Sequence, residues 1–227
     1  MSNNRKDFPS ADEVKAKSKQ GKDTLVAKLR EDGVENPSGL LLTGFSALFL
    51  AAIPLTSYIT QPNSIFEKSL NGLTSTLTHL IPSSSPTSSS TNKIATLATL
   101  YLTVTYALSG AASAAGINSA YAEGRDNNYP RKQVVGLKEG LPLRLYSAHY
   151  HLMEMFPGWA VVAALAQGIA PHDQGVVNLL GLHVVAKCFV HYPAYILNWG
   201  NLRSLAHVVA TASVLNVALR LAKRPLM

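Results

Sequence analysis

The sequence predicts an all-α protein, a multi-pass transmembrane helical bundle, and two observations carry that class. Lys, Arg, Asp and Glu are absent from residues 36–65, 94–122, 155–172 and 205–219, and Lys187 is the one such residue in 174–202. A helix rises about 1.5 Å per residue, so about 20 apolar residues cross a hydrocarbon layer about 30 Å thick. The second observation is economy of surface. A water-soluble chain of 227 residues lacks enough polar surface to cover five helices that are apolar all round.

Residues 1–37 form a polar, basic amino-terminal tail. Within it, residues 11–33 predict a charged helix with Val14, Leu25, Val26 and Leu29 as a sparse apolar stripe, suited either to an anionic membrane surface or to water. The segment 38–60 is the first spanning candidate, with its helix over 39–60 and Pro54 placed to kink it. No cleavable signal peptide is expected, because the apolar run starts at Leu40, after eight of the 20 Lys and Arg side chains. It reads as a retained membrane helix.

Residues 61–92 connect this helix to the rest. A weakly amphipathic piece at 64–81 precedes 82–91, made wholly of Ser, Pro and Thr, a composition with nothing to bury and hence a flexible linker. Residues 93–222 then hold four spans, and 223–227 form a short tail. The first of the four covers 93–116 and ends on Gly110 and Ala114, four residues apart, a spacing that lets another helix approach closely. A polar loop at 118–139 leads to a span over 141–167. A turn at 171–173 leads to 174–197, and Gly200 and Asn201 are expected to break the chain before the last span, 202–221.

Basic residues set the expected orientation. With a cytoplasmic amino terminus, thirteen Lys and Arg at the span ends or between spans fall on the cytoplasmic side and five on the other, as the positive-inside tendency requires. These charges lie beside membrane helices, so the net charge of +7 points to anionic lipid and not to nucleic acid. Cys188 is the one cysteine, which leaves no intrachain disulfide framework.

Polar interruptions of the apolar spans are the candidate site. On a helix, Arg144, Ser147, His151 and Glu154 follow at intervals of three, four and three, so they share one broad face. His183, Lys187, His191 and Tyr195 recur every four residues on the next span. Ionisable groups at membrane depth are costly unless they face a bundle interior or water, which marks them as functional candidates. Placement of the first set at the headgroup level, with Arg144 snorkelling and Glu154 paired for stability alone, is the structural alternative. Together the two stripes would surround an anionic, polar ligand with Arg144, Lys187 and Arg203, while Glu154 accepts from an amine. Tyr192 and Tyr195 add hydroxyls, Trp199 is an expected interfacial anchor, and Pro157 frees the carbonyl of Met153. No metal site is expected: His149 and His151, two apart, do not share a helix face, and the four-apart histidine pair of metallohydrolases is missing.

Several motifs, in order, resemble the MAPEG family, the membrane-associated proteins in eicosanoid and glutathione metabolism, in the form of a divergent fungal or microbial-type member. Arg125-Asp-Asn127 and Pro130-Arg131 resemble the family's polar loop. Arg144, Ala148-His149, Glu154 and Phe156-Pro157 resemble the signature of its second helix. Tyr195 and Leu202-Arg203-Ser204-Leu205 resemble the end of its third helix and the following turn.

The resemblance covers about residues 93–222 and implies a four-helix membrane core, to which 38–60 adds one amino-terminal membrane helix. It implies a homotrimer in the endoplasmic reticulum or another intracellular membrane, with membrane lipid around it and glutathione as co-substrate near the cytoplasmic side. It further implies a transferase or peroxidase acting on a lipophilic substrate. Arg203 matches the family's thiolate-stabilising arginine, and Arg144, His151, Glu154, Lys187, His191 and Tyr195 are the expected glutathione-binding set. Three departures stand against this: His151 replaces the usual asparagine, Ser147 replaces an arginine found in some members, and Met155 replaces a common tyrosine.

The enzyme reading predicts that Arg203, Glu154 and Tyr195 converge on one cleft. A non-catalytic relative that binds lipid or protein partners would instead pair these groups internally. A transporter would need a continuous polar route, and Glu154 has no second acidic membrane residue to relay with.

Overall fold

The structure, a computed structural model, describes residues 10–36, 39, 43–80 and 92–224. The Ser/Pro/Thr stretch at 82–91 lies outside the described residues, as do parts of the expected 39–60 helix. The chain divides into two compact units between residues 47 and 48.

The first unit contains α1 (Ala11–Glu31). A capping box starts it: Glu13 N donates to Ser10 Oγ and Ser10 N donates to the Glu13 carboxylate, satisfying two amides that a helix start otherwise leaves open. Asp12 and Glu13 in the first turn and Lys28 and Arg30 in the last complement the helix dipole. Of the expected apolar stripe, Val26 and Leu29 are half-buried and Leu25 is exposed.

The apolar stretch after residue 44 folds as α2 (Phe45–Ala51), within which the boundary between the units falls, and α3 (Ile53–Ile59) of the second unit. They part at Ala52, beside Pro54, whose ring has no N–H to offer a preceding turn. Phe45–Ile59 together reach about 22 Å at 1.5 Å per residue, short of the hydrocarbon thickness and shorter than the expected 39–60 span. The amphipathic piece is a full helix, α4 (Ile65–Leu80).

Among the described residues, four helices are long and apolar enough to cross a membrane: α5 (Lys93–Ala120), α7 (Leu141–Ile169), α8 (Gln174–Ile196) and α9 (Gly200–Ala222). The short α6 (Pro130–Val135) sits in the loop between the first two. This is an all-α, multi-pass integral membrane protein. Asn92 and Asp173 cap α5 and α8, their side chains accepting from Ala95 N at 3.1 Å and Val176 N at 3.0 Å. Pro157 sits inside α7 without ending it. One π-helical turn interrupts α5 at Thr103–Leu108 and another interrupts α8 at Ala186–His191.

The last helix begins two residues earlier than the sequence suggests. Leu197 to Trp199 make the break, with Asn198 at φ 61°, a left-handed conformation that asparagine tolerates better than most residues. Gly200 and Asn201 are already in the first turn of α9.

α8 is the central helix: 72% of its most apolar 18-residue stretch is buried, against 22% for α7. Trp159, Tyr101 and Leu180 meet there, each almost wholly buried, and the Trp159 indole N–H donates to the Leu180 carbonyl at 3.2 Å. The expected close approach at the small residues of α5 occurs against α7. A Cβ on Gly116 would stand 3.1 Å from Leu145 Cδ1, and one on Gly110 would stand 3.5 Å from the His149 ring.

Buried polar groups tie α3 and α4 to this core at the end opposite the α8–α9 turn. Asn178, wholly buried, donates to the Glu67 carboxylate at 2.9 Å and accepts from Gln174 at 2.6 Å. Asn216 donates to Ser57 and Thr56 at 2.8 and 3.0 Å, and Arg220 donates to Ser57 and to the Asn216 carbonyl. Arg224 pairs with Asp173.

Apolar packing reinforces the tie where Leu70 of α4 fills the space over Gly181; a Cβ there would fall 2.4 Å from Leu70 Cδ2. Gly181→Leu is therefore expected to displace Leu70 and cost roughly 2 kcal/mol, measured by unfolding in mixed detergent. Adding Leu70→Ala should recover most of the loss. Equal stability of Gly181→Leu and the parent would contradict this packing.

Candidate functional site

The first turns of α7 and α9 and the last turns of α8 meet at one end of the bundle, because the 118–140 loop and the 197–199 turn both lie there. Lys187 is wholly buried. Its Nζ stands 2.9 Å from His151 Nε2 and 2.7 Å from His207 Nδ1. With Lys187 as an ammonium, which can only donate, both ring nitrogens accept and the His151 proton is on Nδ1. That nitrogen faces the Glu154 carboxylate at 3.6 Å.

His191, 2% exposed, stacks on His151 with centroids 4.4 Å apart, and His207 meets the same ring edge-on at 4.9 Å. Next to His191 lies Tyr195 at 5.8 Å, and the Arg203 guanidinium sits over the Tyr195 ring at 4.4 Å, a cation–π contact. An unbroken line of contacts thus runs from Arg203 through Tyr195, His191 and His151 to Glu154, backed by Lys187 and His207. The line leads outward. Arg203 and Tyr195 are half-buried, while the Glu154 side chain is 53% exposed.

Local folding explains the placement. The π-helical turn carries both Lys187 and His191, and such turns often occur at functional sites. Arg203 lies in the first turn of α9, its amide bonded to the Trp199 carbonyl at 3.0 Å. A buried lysine head costs several kcal/mol unless its donors are used, and the two imidazoles use two of the three. Among the described residues, no acid pairs with it.

Of the residues singled out from the sequence, Arg203, Tyr195, His191, His151, Lys187 and Glu154 come together. Arg144 stands apart from the line: its Nε donates to the Ile196 carbonyl at 2.8 Å, fixing the end of α8. His183 also leaves the stripe. Its Nδ1 donates to the Ala210 carbonyl at 2.9 Å and its Nε2 accepts from Tyr101 at 3.2 Å, making it a core bracket between α5, α8 and α9. His207 is the member that sequence reasoning missed. Its signal was available, since it follows Arg203 by four residues and so shares its helix face.

Two polar atoms beside the cluster, His191 Nδ1 and the Tyr192 hydroxyl, are buried without a hydrogen-bond partner. Such atoms are rare enough in folded proteins to need a reason. The described cavities open elsewhere: two at the opposite end, lined by residues such as Lys93, Gln174, Ser57 and Arg220, and two on the far side of α7.

Comparison with known proteins adds one finding. A model of the MAPEG family matches residues 94–223, more than half of the chain. The match takes in α5 to α9 and leaves out α1 to α4. No curated protein and no solved structure matches.

Proposed function

The chain belongs to the MAPEG family, and from that premise we propose that it is a glutathione-dependent membrane transferase or peroxidase acting on a lipophilic substrate. The observation that carries the reading is the contact line from Arg203 to Glu154. Glutathione presents two carboxylates, an amine and a thiol. The cluster offers matching chemistry: the Arg203 cation, the Tyr195 hydroxyl and the unpartnered His191 Nδ1 as donors, and the exposed Glu154 carboxylate for the amine.

Arg203 has the role of holding the sulfur as thiolate, since a nearby cation favours the charged form of a thiol and stabilises charge as it moves in the reaction. His151 orients Glu154, and Lys187 with His207 fixes His151. The same reading has the protein as a homotrimer in the endoplasmic reticulum or a related membrane, with the cluster and the amino terminus on the cytoplasmic side. In it, the segment 38–60 supplies one membrane helix beyond the four-helix core.

A second reading, a non-catalytic relative binding lipid or protein partners, is favoured by Lys187 and Arg144, whose hydrogen bonds are spent on protein groups. Calorimetric titration of the purified full chain with glutathione separates the two, followed by conjugation of a lipophilic aryl halide. Binding with turnover is expected, and Glu154→Gln should weaken binding about tenfold through the lost charge-assisted contact. Absence of binding would sink the enzyme reading. Binding without turnover would favour the second.

A further inference from the structure

On the side of α7 away from the cluster, two connected grooves run between α5, α6 and α7, with volumes of about 280 and 520 Å³. They share Arg131, Val134, Tyr146 and His149. At the loop end the lining is cationic. Arg125 and Arg131 are exposed, and among the described residues neither guanidinium has a hydrogen-bond or ion-pair partner. Toward the bilayer the lining turns apolar: Tyr150 and Met153 follow Tyr146 on one face of α7, Met153 about 10 Å deeper at 1.5 Å per residue.

The arginines stand on a built platform. Gln133 Nε2 donates to the Gly124 carbonyl, Asp126 N donates to Gln133 Oε1, Arg125 N donates to Asn118 Oδ1, and the Tyr121 hydroxyl donates to the Gln133 carbonyl, all between 2.6 and 3.0 Å. Asp126, the nearest acid in sequence, is spent on the amides of Asn128 and Tyr129. Below them, Ser109 gives its proton to the Thr105 carbonyl at 2.7 Å. It must therefore accept from His149 Nδ1 at 2.9 Å, which holds the His149 ring against α5.

We propose that this groove is a binding site for an anionic membrane phospholipid, its phosphate held by Arg125 and Arg131 and one acyl chain lying along Tyr150 and Met153. The charge fits a phosphate, which arginine binds with paired donors. The step from cationic to apolar within one groove fits a molecule anchored at the headgroup level with its tail in hydrocarbon. Neither His151 nor Glu154 lines the grooves, and the site does not depend on glutathione chemistry.

Native mass spectrometry of the full chain, released from detergent carrying dioleoyl phosphatidic acid or dioleoyl phosphatidylcholine, tests the proposal. Retention of the phosphatidic acid is expected to exceed that of the phosphatidylcholine on the order of tenfold. Arg125→Ala with Arg131→Ala should abolish the preference, and Arg125→Lys with Arg131→Lys, which keeps the charge and loses the paired donors, should keep part of it. Both positions are exposed, so circular dichroism and thermal unfolding should be unchanged in either variant.

Equal retention of the two lipids overturns the proposal, as does an unaffected alanine variant. Inorganic phosphate that displaces the lipid at equal concentration would reduce the site to a plain anion site. An alanine variant that keeps its lipid and changes its oligomeric mass would make this face an interface between copies instead.

Discussion

Arg203→Ala is expected to lower glutathione conjugation about 100-fold, the loss found when one donor to a developing or resident anion is removed from a preorganised site. The guanidinium is well placed for that effect. It lies over the Tyr195 ring at 4.4 Å, so its position is fixed before any ligand arrives, and its backbone is held in the first turn of α9. Because Glu154 and Tyr195 remain, glutathione should still bind, and kcat should fall by much more than KM rises. Arg203→Lys keeps the charge and loses the planar stack, so it should recover only part of the rate. Steady-state kinetics with a fixed lipophilic electrophile, together with the ultraviolet absorbance of the bound thiolate, measures both parts. Undiminished turnover in Arg203→Ala would remove the arginine from the chemistry.

Trp159→Ala is expected to cost about 4 kcal/mol of stability. The side chain is 1% exposed. Its ring meets Tyr101 edge-on at 5.4 Å, and its N–H is bonded to the Leu180 carbonyl, so truncation opens a cavity where α5, α7 and α8 join. Within a bilayer this loss is one of packing contacts more than of burial from water, since lipid tails are as apolar as the core. Trp159→Phe retains most of the ring and gives up one hydrogen bond, for about 1 kcal/mol. Reversible unfolding in mixed detergent micelles should rank the parent, Trp159→Phe and Trp159→Ala in that order. A Trp159→Ala loss below about 1 kcal/mol would mean that the three helices relax to close the gap.

Much of this fold was legible because its strongest signal is local. Uncharged length marks α5, α7, α8 and α9, and their predicted and observed bounds differ by a few residues. One disagreement inside the four-helix core is at 197–201, where Gly200 and Asn201 read as the breakers. Asn198 takes the left-handed turn instead, and nothing in a residue's propensity ranks two asparagines three apart. The stretch before the linker was harder. Length alone suggested a span at 39–60, whereas Pro54 divides the described part into two short helices.

The candidate cluster was partly legible for the same reason. Residues three and four apart on α7 and α8 had to share faces, and five of the eight side chains in the two stripes come together, with Arg203 joining them from α9. Arg144 could not be separated from them by spacing, because the Ile196 carbonyl that captures it lies 52 residues away. His183 kept the interval of four and still belongs elsewhere, held by Tyr101 from another helix. His207 carries the same kind of signal, four residues after Arg203 on one face of α9. The bond from Asn178 to Glu67 spans 111 positions and has no local signature at all.

The π-helical turn at Ala186–His191 has a consequence for how α8 can change. Such a turn is equivalent to one inserted residue, and one residue in an α-helix amounts to about 100° of rotation. The two ends of α8 are therefore phased independently. Ahead of the turn, His183 is keyed to Tyr101 and the Ala210 carbonyl; beyond it, Tyr195 is keyed to Arg203. Loss of that single residue would swing the Tyr195 end by about a quarter turn while the His183 end stayed locked. One helix thus works as a fixed shaft with an adjustable head, and the side chains of its Tyr195 end are free to diverge without the bundle having to be rebuilt.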